Sequence, residues 1–173
     1  MYNKKLIYFI IHLRTTTAPT DTLLHGVGSP AKRTGMSSSP FRPSDDASAL
    51  PYPTAANAMA VVTINHLIEI LNDLSIGHEQ PIVVSTLINF ARNLADEINN
   101  GISQYSVMNH PVAGDVYAYE VDGFGNGYFM DDANIPSLLS LPYLGFTSAS
   151  DPTYQRTRAF LLSNNNPYFF SGR

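Results

Sequence analysis

Carboxylates occur as adjacent pairs at two places in this chain. The first lies in Phe41-Arg42-Pro43-Ser44-Asp45-Asp46-Ala47. The second closes the stretch Asp122-Gly123-Phe124-Gly125-Asn126-Gly127-Tyr128-Phe129-Met130-Asp131-Asp132-Ala133-Asn134. Neighbouring carboxylates repel, and each is costly to take out of water. Only 14% of the residues are charged, so the chain has little structural reason to place such pairs twice. Gly, Pro and aromatic residues surround both pairs, as in a site that holds a polar ligand against a flat apolar surface. Carboxylate chemistry on a sugar is the first reading.

Each motif also has a plainer reading. In the first, Ser44 and Asp45 cap a turn while Arg42 pairs with an aspartate. In the second, Gly123, Gly125 and Gly127 build a hairpin, and Asp131 caps the helix that follows. The functional alternative uses the glycines for close backbone approach and Phe124, Tyr128 and Phe129 as rings on which a sugar stacks. Asp45, Asp46, Asp131 and Asp132 would also suit a hard cation, which makes a metal-dependent phosphohydrolase a third reading. EF-hand spacing and HExxH are both missing, and His12, His25, His66, His78 and His110 are scattered. No strand-to-helix unit frames the glycines as a dinucleotide site, and no serine nucleophile elbow occurs. With no cysteine, thiolate catalysis and thiolate metal sites drop out.

The elements that must carry these motifs are mostly helical. Ala56, Met59, Ala60, Thr63, Leu67, Ile70, Leu71 and Leu74 recur at helical spacing, with Thr54 as N-cap and Gly77 as stop. A second helix runs from Pro81 to Asn100 on Val84, Leu87, Ile88, Ala91, Leu94, Ala95 and Ile98, with Gly101 closing it. Asp115 to Val121 reads as a short strand or extended arm, and Ile135 to Tyr143 as a short helix. Asp151 caps a last helix that has Pro152 at its first position and covers Tyr154 to Ser163. Thr15 to Pro53 is irregular, and the carboxylate pair within it marks it as an ordered functional loop.

Composition sets the wider bounds. A length of 173 residues with 44% hydrophobic content fits one globular domain. The net charge of −4, with no basic stripe, argues against nucleic acid as a partner. The apolar run from Leu6 to Leu13 is too short to span a bilayer. It has the length of a signal-peptide core but no small-residue cleavage site after it, so a secretory route stays open without support. Nothing in the pattern points to an obligate protein partner.

At these residues the sequence resembles glycoside hydrolase family 125, the metal-independent exo-α-1,6-mannosidases. The resemblance rests on RTTTAPTDTLLHGVGSPAKRTGMSSSPFRPSDDA, ANAMAVV, YAYEVDGFGNGYFMDDANIPSLLSLPYLGF and DPTYQRTRAFLLSNNNPYFFSG, which together run from Arg14 to Gly172. It implies an all-α, (α/α)6 barrel of six helical hairpins, of which residues 14–173 form a part and residues 1–13 an unmatched apolar segment. It also implies an inverting hydrolase of terminal α-1,6-linked mannose, with an α-mannoside glycan as partner and no metal or other cofactor. An inverting glycosidase needs one carboxylic acid at the leaving oxygen and one carboxylate that activates water, roughly 6.5–9.5 Å apart. The resemblance places the general acid in the FRPSDD loop, at Asp45 or Asp46. It further implies substrate contacts from Arg42, Asp122, Phe124, Asn126, Asp131, Asp132 and Asn134. The family's general base is a glutamate beyond the matched stretches, and Glu120 does not correspond to it. Family chains are longer, and the matched stretches come from their middle. The expectation is therefore a fragment that exposes apolar helix faces and lacks turnover, either a partial mannosidase or a non-catalytic mannose-binding remnant.

Overall fold

The computed structural model describes residues 23, 27–74 and 82–172. The segment 1–13, the expected stop at Gly77 and the expected start at Pro81 lie outside those residues. Two long helices dominate: α1 (Thr54–Asp73) and α2 (Ile82–Gly101). They pack antiparallel. Ile64, Ile68 and Leu71 near the end of α1 meet Val84, Ile88 and Ala91 near the start of α2. A π-helical segment (Ile102–Ser106) extends α2, followed by the short strands β2 (Val107–His110) and β3 (Gly114–Tyr117), which pair with each other. A second sheet has β1 (Tyr52–Pro53) and β5 (Gly127–Tyr128) on either side of β4 (Glu120–Val121), all antiparallel. Helices α3 (Leu141–Leu144) and α4 (Pro152–Leu161) complete the described chain.

The main core joins the N-terminal half of α1 to the sheets. Ala55, Ala58 and Val61 pack with Tyr52, Tyr119, Val121, Ile102, Leu138, Leu141 and Phe160. Full burial of a leucine such as Leu138 or Leu141 contributes about 1.5–3 kcal/mol. Small residues on α1 let the helix approach the sheet closely, and Asn57 ties it to the preceding loop. The Asn57 side chain accepts from Ser37 N at 2.7 Å and donates to the carbonyls of Ser37 and Pro53.

Of the eight α1 residues picked out by spacing, Ala60 and Leu71 pack partly against the core and most of the rest face outward. Met59, Leu67, Ile70 and Leu74 are 38%, 43%, 56% and 72% exposed, and none of the eight residues picked out by spacing is buried. The helix is apolar on both sides, so its strongest period marks the outward side. By length and composition alone α1 is apolar enough to cross a bilayer, yet its N-terminal half is core. On α2 the expectation fares better: Ile88, Ala91, Ala95 and Ile98 are buried, while Leu87 and Leu94 face outward.

Boundaries shift for local reasons. Thr54 is the first helical residue rather than the cap, and its hydroxyl donates to the Ala118 carbonyl at 2.6 Å. Gly101 does not end the helix. It is glycine because a Cβ there would stand 2.5 Å from the Thr34 carbonyl oxygen. The expected helix from Ile135 is mostly turn, with a cis Ile135–Pro136 bond and helix only from Leu141. Ser137 and Ser140 exchange side-chain bonds with each other's backbone, which competes with helical pairing. The last helix is as expected: Asp151 caps α4 by accepting from Tyr154 N at 2.8 Å, with Pro152 in the first turn.

Candidate active site

The FRPSDD loop is tightly folded. Arg42 N donates to the Asp46 carbonyl at 2.8 Å and Asp45 N to the Arg42 carbonyl at 3.0 Å. A β-bridge between Phe41 and Ala47 closes its neck. Asp45 sits at φ +67°, in the left-handed region that aspartate tolerates better than most residues. The plain reading of this motif as a turn is therefore correct for its backbone. The expected pairing of Arg42 with an aspartate is not: its partner is a glutamate.

That partner is Glu120, on the central strand β4. Arg42 Nε donates to Glu120 Oε1 at 2.6 Å, and the other carboxylate oxygen accepts from Ala49 N and Leu50 N, each at 2.9 Å. The Arg42 guanidinium also lies 5.5 Å from the ring centres of Tyr119 and Tyr128. Burial works to lower the Arg42 pKa, but the hydrogen bond and charge of Glu120 hold it above its ordinary value. Removing one partner of such a buried pair costs about 3–5 kcal/mol.

The second aspartate pair divides its work. Asp131 accepts from Leu138 N at 2.7 Å and Leu139 N at 2.9 Å, which pins the turn before α3. Burial pushes its carboxyl up to about 6, against the pull of those backbone donors. Asp132 turns to the first motif. Ser44 Oγ donates to Asp132 Oδ2 at 2.5 Å and also lies 3.5 Å from Asp46 Oδ2. Asn134 donates to Asp132 Oδ1 through its backbone and its side-chain amide. Side chains thus link Asp46, Asp132 and Asn134 through Ser44, while Arg42 and Asp45 share the turn through backbone bonds and Asp131 braces the segment that follows.

Asp122 and Asn126 are spent inside their own loop. Asp122 accepts from Phe124 N, Asn126 N and Asn126 Nδ2, the last at 2.6 Å. Burial alone would raise its carboxyl, but these donors take it below the usual value. Gly123 (φ +80°) and Gly127 do give close approach, though to the protein itself. A Cβ would stand 2.6 Å from Thr34 Cγ2 at the first and 2.3 Å from Met108 Sδ at the second. Phe124 is 61% exposed, whereas Phe129 packs edge-on against His110 and Phe160. Tyr128 has the Arg42 guanidinium near its ring and meets the Tyr168 hydroxyl at 2.5 Å.

A cleft of about 550 Å³ opens beside Asp131 and Asp132, lined further by Ile135, Ser140, Tyr168 and Phe170. Its lining thus combines aromatic and acidic residues. Among the described residues no three His, Asp or Glu side chains converge as metal ligands. Sequence reasoning read Ser44 only as a turn cap and missed both its bond to Asp132 and the Arg42–Glu120 pair. The signal for Glu120 was a lone acid between Tyr119 and Val121, where a buried strand position calls for an apolar residue.

Comparison with known proteins gives one consistent result. The model of the metal-independent α-mannosidases, glycoside hydrolase family 125, matches residues 4–173, beginning inside the N-terminal apolar segment. The meiotically up-regulated gene 157 protein of Schizosaccharomyces pombe is 47% identical over 164 residues, covering 93% of this chain and 31% of that protein. A metal-independent α-mannosidase of Streptococcus pneumoniae, solved in a non-productive complex with α-1,6-mannobiose, superposes with a TM-score of 0.84 at 42% identity. That match covers 92% of this chain and 37% of the other. The chain spans about a third of the length of each.

Proposed function

This chain belongs to glycoside hydrolase family 125, the metal-independent α-mannosidases, and we propose that it carries the acid-bearing part of an inverting exo-α-1,6-mannosidase site. The observation that carries the proposal is the Ser44–Asp132 hydrogen bond, which fastens the FRPSDD loop to the loop holding Asp131, Asp132 and Asn134. In this reading one carboxyl of the Asp45–Asp46 pair protonates the glycosidic oxygen as it leaves. Arg42, Asp131, Asp132 and Asn134 hold the terminal mannose, with the exposed ring of Phe124 as a further contact. Asp122 and Asn126 act by shaping the glycine loop that presents Phe124. Water attacks the anomeric carbon from the opposite face, so an α-linkage yields β-mannose.

The proposed architecture is part of an (α/α)6 barrel built by residues 14–173. The α1–α2 pair is one of its hairpins, and the outward apolar sides of both helices are the surfaces that neighbouring hairpins cover.

Hydrolysis of α-1,6-mannobiose, followed by ¹H NMR with an Asp45→Asn, Asp46→Asn double variant as control, tests the reaction. Any mannose that the chain releases should appear first as the β-anomer, and its release should be lost in the double variant. α-Mannose as first product, or turnover that survives the double substitution, overturns it. Binding without release is the outcome of a second reading, a mannose-binding site without a base. One observation favours that reading: both oxygens of Glu120 are engaged, so it offers no base for water.

A further inference from the structure

Glu120 takes no part in the chemistry above, yet it is fully buried, with 0% exposure. Its three hydrogen bonds go to one loop and reach both ends of it. Arg42 begins the turn that holds the aspartates, while Ala49 and Leu50 lie just after the loop closes at Ala47. Asp45 and Asp46 sit between these anchor points. The strand that presents Glu120 is itself held on both sides, by Pro53 of β1 and Tyr128 of β5.

A carboxylate on a paired strand moves little, and hydrogen bonds that involve a charged group are about twice as strong as neutral ones. The loop has only its own turn bonds and the Phe41–Ala47 bridge, so its place against the sheet depends on contacts such as those of Glu120. Ser44 then passes the loop's placement to Asp132 across the site. We propose that Glu120 is the positioning residue of the Asp45–Asp46 loop, fixing where the acid carboxyl stands relative to the sugar-holding loop. It acts through Arg42, Ala49 and Leu50 and touches no substrate. The claim that the positioned group is the general acid rests on the mannosidase reading; the claim that Glu120 fixes the loop does not.

Amide hydrogen exchange by NMR tests this on the full chain, comparing the parent with Glu120→Gln. Glutamine keeps the size of the side chain but can offer only one acceptor oxygen, so one end of the loop loses its anchor. Exchange at Asp45, Ala49 and Leu50 should rise at least about tenfold while amides of α2 and α4 keep their rates. Shifts induced at Asp46 by α-1,6-mannobiose should disappear in the same variant. Arg42→Lys supplies a second arm should the first variant fold poorly. It keeps the charge and loses the planar Nε donor, and it should loosen the same amides. Unchanged loop exchange in either folded variant overturns the proposal. So does a uniform rise across α2, α4 and the loop, which would make Glu120 a general fold residue. A parent chain that shows no mannobiose shifts sinks the mannosidase reading instead, and loop exchange still decides the role of Glu120.

Discussion

Asp131 gives the site a pH dependence whose sign follows from its burial. With its folded pKa up to about 6, above the unfolded value of about 3.9, the folded state binds more protons between those two values. The stability it contributes is fully present below the unfolded value and is lost as pH rises through the folded one, by roughly 1–3 kcal/mol. Urea unfolding across that range should show this slope in the parent and lose it in Asp131→Asn; equal slopes would contradict the assignment. Tyr119 makes a different point. Its hydroxyl is buried without a hydrogen-bond partner, and burial, then the nearby Asp132, raises its pKa. Tyr119→Phe removes only that unmet hydroxyl, so thermal unfolding should change by less than about 1 kcal/mol, or improve. A large loss would show that the hydroxyl has a partner. The aspartate pairs stood out in the sequence because carboxylates among Gly and Pro are conspicuous in a low-charge chain, whereas Arg42 and Asn134 entered the proposed site through the family resemblance. The roles of Ser44 and Glu120 were not legible, because the bonds that give them meaning reach residues 88 and up to 78 positions away.

Elements were legible where one local rule acted alone. The Asp151-Pro152 start of α4 combines a side-chain cap with a residue that needs no donor, and the structure keeps both. Asp151→Ala should cost about 1 kcal/mol by thermal unfolding, within the range for lost caps. Legibility failed where local rules competed. From Ile135 to Ser140 the apolar spacing favours a helix, but Asp131, Ser137 and Ser140 take up backbone donors first. On α1 the packed side is built from Ala55, Ala58 and Val61, whose small side chains give a weak periodic signal beside the larger outward residues. The glycine loop follows the same logic: a side chain at Gly127 would meet Met108 and Ala118, contacts that no sequence window contains. Gly127→Ala should destabilise the chain by about 1–3 kcal/mol through overpacking, read as a lower midpoint in urea. An unchanged midpoint would mean that Met108 moves aside freely.

For the whole molecule, the telling feature is apolar surface that the described fold leaves uncovered. Met59, Leu67, Ile70 and Leu74 follow one another along α1, and Val83, Leu87, Phe90 and Leu94 do so along α2. Helices apolar on two sides belong inside a larger assembly of helices, which agrees with the proposed barrel and with relatives about three times as long. In solution this surface should bind a hydrophobic dye and promote self-association. Leu67→Glu with Phe90→Glu should reduce both without lowering the unfolding temperature, and a clear drop in that temperature would show that these side chains are packed. The central claim is that the two aspartate loops form one mannoside site. The most direct measurement of it is ¹H–¹⁵N shift mapping of the chain during titration with α-1,6-mannobiose. Saturable shifts should gather at residues 42–46 and 131–134. Shifts that never saturate, or that saturate at only one of the two loops, would contradict it.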